Sequence, residues 1–84
     1  MAEVLIYSTK YCGYCVRAKQ LLEGKGVAVT EVMVDQDAEQ RAQMERLTGR
    51  RTVPQIFIGG KHVGGHDELR ALDRAGQLDA LLKP

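Results

Sequence analysis

The chain has no tryptophan, one phenylalanine, two prolines and two cysteines among its 84 residues. Nowhere does an apolar run approach the roughly 18 residues that read as a membrane span. No basic region, apolar stretch or cleavage pattern precedes the first strand-like residues, so a cytoplasmic location is expected. Neither charge sign dominates: twelve Lys and Arg face eleven Asp and Glu, a net charge of +1. Such a balance gives no long-range field for nucleic acid or anionic membrane, and any ligand selectivity must come from locally placed charges. Repeats, low-complexity tracts and linkers are missing too. With apolar residues at 44% and charged ones at 27%, the chain reads as one soluble domain over residues 1–84. Its core is expected to be thin, because a chain this short buries only a little over roughly 60% of the surface it exposes unfolded. In a reducing compartment a lone cysteine pair is more often catalytic or metal-bound than structural.

Both cysteines lie in Lys10-Tyr11-Cys12-Gly13-Tyr14-Cys15-Val16-Arg17. Residues 4 to 8 are strand-like, and from Val16 the apolar residues Val16, Ala18, Leu21 and Leu22 recur at helical spacing. Cys12 therefore falls at a helix N-terminus, where unpaired N–H groups and the helix dipole favour a thiolate over a thiol. Lys10 pushes the same way. Cys15, one turn further on, can reach Cys12 while facing the protein, so Cys12 is expected to attack and Cys15 to resolve. As a structural staple the pair would be poor: closing four residues is worth about 2 kcal/mol by chain entropy. Cys12 and Cys15 with His62 and His66 also resemble a zinc ligand set, but 46 residues separate the two pairs, far more than a compact finger uses.

Along the chain, residues 3–8 predict a first strand and Gly13–Glu23 a helix that Gly24-Lys25-Gly26 stops. Residues 27–34 are rich in β-branched types and predict a second strand, parallel to the first through a right-handed crossover. Asp37 and Gln40 resemble an N-cap pair for a helix to about Leu47, mostly polar, with Ala38, Ala42, Met44 and Leu47 as its sparse apolar positions. Val53–Ile58, the turn Gly59-Gly60 and Lys61–Gly64 read as an antiparallel hairpin, with Pro54 at a strand start or edge. A short helix from about Asp67 and a final turn carrying Leu78, Leu81 and Leu82 complete the pattern.

The order β-α-β-α-β-β-α, with CxxC at the first helix, Thr52-Val53-Pro54 entering the third strand and Gly64-Gly65-His66-Asp67 after the fourth, resembles a glutaredoxin, in particular the bacterial dithiol members with a CGYC-type site. The resemblance covers essentially the whole chain. It implies an α/β thioredoxin fold, a four-stranded mixed sheet with helices on both faces, and a cis peptide bond before Pro54. It also implies a glutathione-dependent thiol-disulfide oxidoreductase that reduces protein–glutathione mixed disulfides and small disulfides. Glutathione would be co-substrate, regenerated by glutathione reductase, and glutathionylated or disulfide-containing proteins would be the partners of a monomer.

Site residues follow by analogy. The γ-glutamyl carboxylate would meet the backbone N–H groups of His66 and Asp67 after Gly65, the Asp67 side chain the ammonium, and the backbone of Val53 the cysteinyl segment. Lys10, Arg41 and Arg51 would meet the glycyl carboxylate, with Arg50 as competitor. Tyr14, Thr52 and Pro54 would complete the lining. Read without the resemblance, Gly64-Gly65 also fits a plain turn with Asp67 as a cap, and Arg41 and Arg50 fit solvated surface charge. Two departures matter. Many dithiol relatives have proline where Gly13 stands, and some members with glycine there hold a [2Fe–2S] cluster between two protomers, through the first cysteine and bound glutathione. Some relatives also carry a cysteine where His66 stands. The rival enzyme is a thioredoxin-like reductase that ignores glutathione; the charges of Lys10, Arg51 and Asp67 and the missing tryptophan speak against it.

Overall fold

A computed structural model describes residues 2–83. Its elements are β1 (Val4–Ser8), α1 (Gly13–Gly24), β2 (Val29–Met33), α2 (Ala38–Thr48), β3 (Gln55–Ile58), β4 (Lys61–Gly64), α3 (His66–Arg74) and α4 (Leu78–Leu82). The strands form one sheet in the order β2-β1-β3-β4. β1 runs parallel to β2, in register from Val4 opposite Val29 to Ser8 opposite Met33, and antiparallel to β3, with Ile6 opposite Ile56. β3 and β4 are antiparallel, with a register shift between Ile56 and Phe57. This is the thioredoxin fold, and the Val53–Pro54 peptide is cis.

Because side chains alternate across a strand, β1 feeds two cores. Val4 and Ile6 join Ala18, Leu22, Val27, Ile56, Ile58, Leu69, Leu78 and Leu82 beneath α1, α3 and α4. Tyr7 joins Val34 and Met44 on the opposite face, beneath α2, with Leu5, Val32, Val53 and Phe57 packed around them. Helices therefore cover both faces, three on one and one on the other. Lys25 ties the end of α1 to the last two helices through ion pairs with Asp73 (2.9 Å) and Asp79 (3.0 Å).

The elements stop where their local chemistry stops them. Gly59 and Gly60 have φ of 60° and 80°, the pair of left-handed residues that a two-residue hairpin turn requires. Asp37 accepts from the Gln40 N–H at 3.1 Å and starts α2, and Gly49, at φ 70°, ends it. Three expectations shift. β2 is shorter than residues 27–34, because β1 pairs in register only with Val29–Met33; Val34, whose N–H closes the ladder on Ser8 O at 2.9 Å, and Val27 are buried as core residues flanking it. Val16 does not belong to the buried stripe of α1, which runs through Cys15, Ala18 and Leu22, and is 52% exposed. Leu47 is likewise 53% exposed, which leaves Met44 as the only buried residue of α2.

That single anchor is testable. Met44→Ala should destabilise the protein by about 2–5 kcal/mol, since it opens a cavity under α2, whereas Leu47→Ala should stay within about 0.5 kcal/mol. Urea denaturation measures both, and equal effects would contradict the packing described.

Candidate active site

The β1–α1 corner carries the chemistry. Cys12 is extended, at φ −112° and ψ 106°, and is the N-cap of α1: its carbonyl accepts from the Val16 N–H at 3.1 Å and its Sγ accepts from the Cys15 N–H, also at 3.1 Å. A sulfur in that position satisfies one of the donors that every helix N-terminus leaves unpaired, and a negatively charged sulfur does so better than a neutral one. Cys12 is half-buried with Sγ 4.0 Å from the Val53 carbonyl oxygen. Cys15 is different. It is 2% exposed, and burial first, then the adjoining Cys12, push its thiol up to about 12. One sulfur is open and receives an N–H; the other is sheltered and protonated.

Beside Cys12 an open cleft is lined by Tyr14, Arg50, Thr52, Val53, Pro54, Gly65, His66, Asp67 and Glu68. One wall is the segment leading into β3, and the other is the start of α3. Tyr14, Thr52, Val53, Pro54, Gly65, His66 and Asp67, named from the sequence, thus come together. At the α3 N-terminus the Gly65 N–H donates to Glu68 Oε1 at 2.7 Å. His66 and Asp67 are the first two residues of α3, so their N–H groups have no acceptor within the helix. The His66 ring lies 5.2 Å from that of Tyr14, and its Nδ1 is buried without a hydrogen-bond partner, 3.6 Å from Asp67 Oδ1.

The remaining cations expected at the site lie outside this lining. The Lys10 ammonium sits 5.5 Å above the Tyr11 ring, Arg41 donates to the Arg51 carbonyl at 3.1 Å, and Arg51 pairs with Glu45 at 3.1 Å while its side chain is 83% exposed. The cation on the cleft wall is Arg50, held by Glu68 at 2.7 Å. Sequence reasoning did not name Glu68. Its position three residues after the N-cap, where Glu closes a capping box, was the available signal. Gly64, at φ 122°, makes room for it, because a Cβ there would run into the Glu68 carboxylate.

Cys12, Cys15, His62 and His66 do not converge on a metal site: His62 bonds Gln55 and His66 faces Tyr14. No group of three or more His, Cys, Asp or Glu among the described residues is placed to hold a metal ion. Toward a [2Fe–2S] cluster the chain offers one accessible cysteine sulfur, Cys12, because Cys15 is buried, so the other ligands would come from outside the chain.

Two outcomes follow from these environments. With Cys15 raised to about 12, iodoacetamide at neutral pH should add once, on Cys12, and reach Cys15 only after unfolding, as mass spectrometry of digests would read. Labelling of both in the folded protein would contradict the burial. The Gly65 N–H, and after it Arg50, hold the Glu68 carboxyl below its ordinary value, so its ionised form favours the fold. That contribution is complete above the ordinary glutamate range and is lost as pH falls through the lowered value. Urea midpoints of wild type and Glu68→Gln should therefore differ at neutral pH and converge as the pH falls through the lowered Glu68 value.

Comparison with known proteins agrees with the geometry. The glutaredoxin family model matches residues 4–63. A glutaredoxin of Pseudomonas aeruginosa is 57% identical over 82 residues, 98% of each chain. The solution structure of glutaredoxin from Brucella melitensis superposes with a TM-score of 0.87 at 51% identity, covering 99% of this chain and 90% of that one. A buckwheat glutaredoxin–glutathione complex superposes with a TM-score of 0.87 at 38% identity, covering 96% of this chain and 76% of that one. With an open sulfur capping a helix, a buried partner sulfur one turn on, and these relatives across nearly its whole length, the chain belongs to the glutaredoxin family of thiol-disulfide oxidoreductases.

Proposed function

We propose that this protein is a glutathione-dependent oxidoreductase that reduces protein–glutathione mixed disulfides and small disulfides in the cytoplasm. The observation that carries the reading is the cleft beside Cys12, which holds a complement for each polar group of the tripeptide. The His66 and Asp67 N–H groups suit the γ-glutamyl carboxylate, and the exposed Asp67 carboxylate suits its ammonium. The half-buried Val53 backbone suits the peptide bonds flanking the cysteinyl residue. We assign the glycyl carboxylate to Arg50, which lines the cleft; Lys10, Arg41 and Arg51 would join only if their side chains swing from their present contacts. The buckwheat relative is a complex with glutathione, which supports glutathione as the ligand.

The reaction then runs through two exchanges. The Cys12 thiolate attacks the glutathione sulfur of a mixed disulfide; the Cys12–glutathione bond forms, the substrate–glutathione bond breaks, and the substrate sulfur leaves as a thiolate that takes a proton from water. A second glutathione attacks the glutathionyl sulfur, regenerating Cys12 and releasing oxidised glutathione. Alternatively Cys15, once deprotonated, attacks Cys12 and expels glutathione. Because Cys15 is buried and protonated, the glutathione route should carry deglutathionylation.

The test is mass spectrometry of Cys15→Ser after exposure to oxidised glutathione, with turnover on a glutathionylated peptide and on a protein disulfide. A single adduct on Cys12 with deglutathionylation within a few-fold of wild type is expected. Reduction of the protein disulfide should fall sharply, and Cys12→Ser should abolish both activities. No adduct and no turnover, in a folded protein, would favour the thioredoxin-like reading instead.

A further inference from the structure

One buried polar cluster is left unused by this chemistry. Gln55, the first residue of β3, is 1% exposed, and both ends of its amide are engaged. Its Nε2 donates back across Val53–Pro54 to the Thr52 carbonyl at 3.0 Å and to Thr52 Oγ1 at 3.2 Å, while its Oε1 lies 2.8 Å from His62 Nε2. The direction of the chain of bonds is forced. A carbonyl can only accept, so the amide nitrogen must face Thr52 and the amide oxygen must face the histidine. His62 Nε2 is therefore a donor, and in the neutral ring the proton sits there. The ring is held in place by Phe57, with centroids 5.1 Å apart. Burial first, and then the Arg50 charge, lower the His62 pKa, so the neutral ring prevails at neutral pH; the Glu68 carboxylate acts the other way.

The same cluster fixes a segment that no strand holds. Residues 50–52 precede β3 as loop, and side chains hold their backbone at each position. The Arg50 N–H donates to Thr48 Oγ1 at 3.0 Å, Arg41 donates to Arg51 O at 3.1 Å and Gln55 to Thr52 O at 3.0 Å. The last of these adjoins Val53, whose carbonyl lies 4.0 Å from Cys12 Sγ and which, with Thr52 and Pro54, makes one wall of the cleft.

We propose that His62 and Gln55 are positioning residues: through the His62–Gln55–Thr52 chain they set the direction of the Thr52–Val53 backbone and so the affinity of the cleft for the tripeptide backbone of glutathione. The proposal rests on the glutathione reading above. Neither residue lines the cleft. Their effect passes through Thr52 to the Val53 backbone, while Cys12 keeps its own cap from the Cys15 N–H and meets that backbone only at 4.0 Å.

The experiment measures binding of S-methylglutathione, which cannot exchange disulfides, to wild type, His62→Phe, His62→Gln and Gln55→Met, together with the rate of Cys12 alkylation by iodoacetamide. Phenylalanine keeps a ring against Phe57 but removes the donor; glutamine returns one. Leaving the Gln55 oxygen buried and unpaired should weaken binding about fivefold to tenfold in His62→Phe, with Gln55→Met at least as weak. His62→Gln should recover most of the affinity, and Cys12 alkylation should change much less than affinity across the set. A general loosening of the fold would instead move alkylation and affinity together, and would overturn the proposal, as would wild-type affinity in His62→Phe. An Nδ1-protonated His62 in the 15N spectrum of the wild-type protein would overturn it without any variant. Absence of binding by the wild type would remove the glutathione reading itself, and this proposal with it.

Discussion

The Cys15 N–H that donates to Cys12 Sγ is the contact on which the rest of the site depends. In most helices an oxygen of Ser, Thr, Asp or Asn fills the N-cap position; here a sulfur does. The consequence is geometric as well as electrostatic. The cap fixes Cys12 at the mouth of the molecule, and helical spacing then puts residue 15 one turn down the same face, where the stripe Cys15, Ala18 and Leu22 turns into the core. A single local motif thus gives one accessible sulfur and one sheltered sulfur within reach of each other.

A second helix N-terminus faces the first across the Val53 backbone. At α3 the cap is Gly65, which has no side chain to satisfy the helix, and Glu68 reaches back to bind the Gly65 N–H instead. That bond satisfies the Gly65 donor, while the N–H groups of His66 and Asp67, in the first turn of a helix that lines the cleft, have no acceptor within the helix. It also holds Arg50 on the cleft wall, since Glu68 Oε1 accepts from both. Anions at helix N-termini gain about 0.3–1 kcal/mol when exposed and up to about 2 when partly buried. A carboxylate on α3 and a reacting sulfur on α1 would each draw on that, and the buried apolar cluster shared by α1, α3 and one face of the sheet keeps the two ends in register. On the opposite face α2 hangs by Met44, so the redox site is carried by the better-anchored half of the fold.

Much of this was legible in the sequence because it depends on backbone-level rules. Period, caps and turn glycines gave the element order, the Cys12 helix start and the Gly59-Gly60 hairpin. The burial of Cys15 followed from spacing alone. Harder to read were features decided by tertiary choice. Val16 and Leu47 fit helical stripes but are exposed, because Cys15, Ala18 and Leu22 on α1 and Met44 on α2 take the core-facing positions. β2 is trimmed by the length of its neighbour rather than by its own β-branched run. The arginines were the least legible: Arg41, Arg50 and Arg51 have similar reach, and their sorting depends on where a carbonyl, Glu68 and Glu45 happen to stand after folding. The cis bond before Pro54 came from family resemblance, since residue preference alone favours trans.

The structure of Cys15→Ser bearing glutathione in disulfide linkage to Cys12 would test the central claim most directly. The account predicts the tripeptide in the cleft between Thr52–Pro54 and the start of α3, with its γ-glutamyl carboxylate on the His66 and Asp67 N–H groups and its glycyl end toward Arg50. A tripeptide lying instead over Lys10 and Tyr11, or touching the protein only through the disulfide, would contradict it.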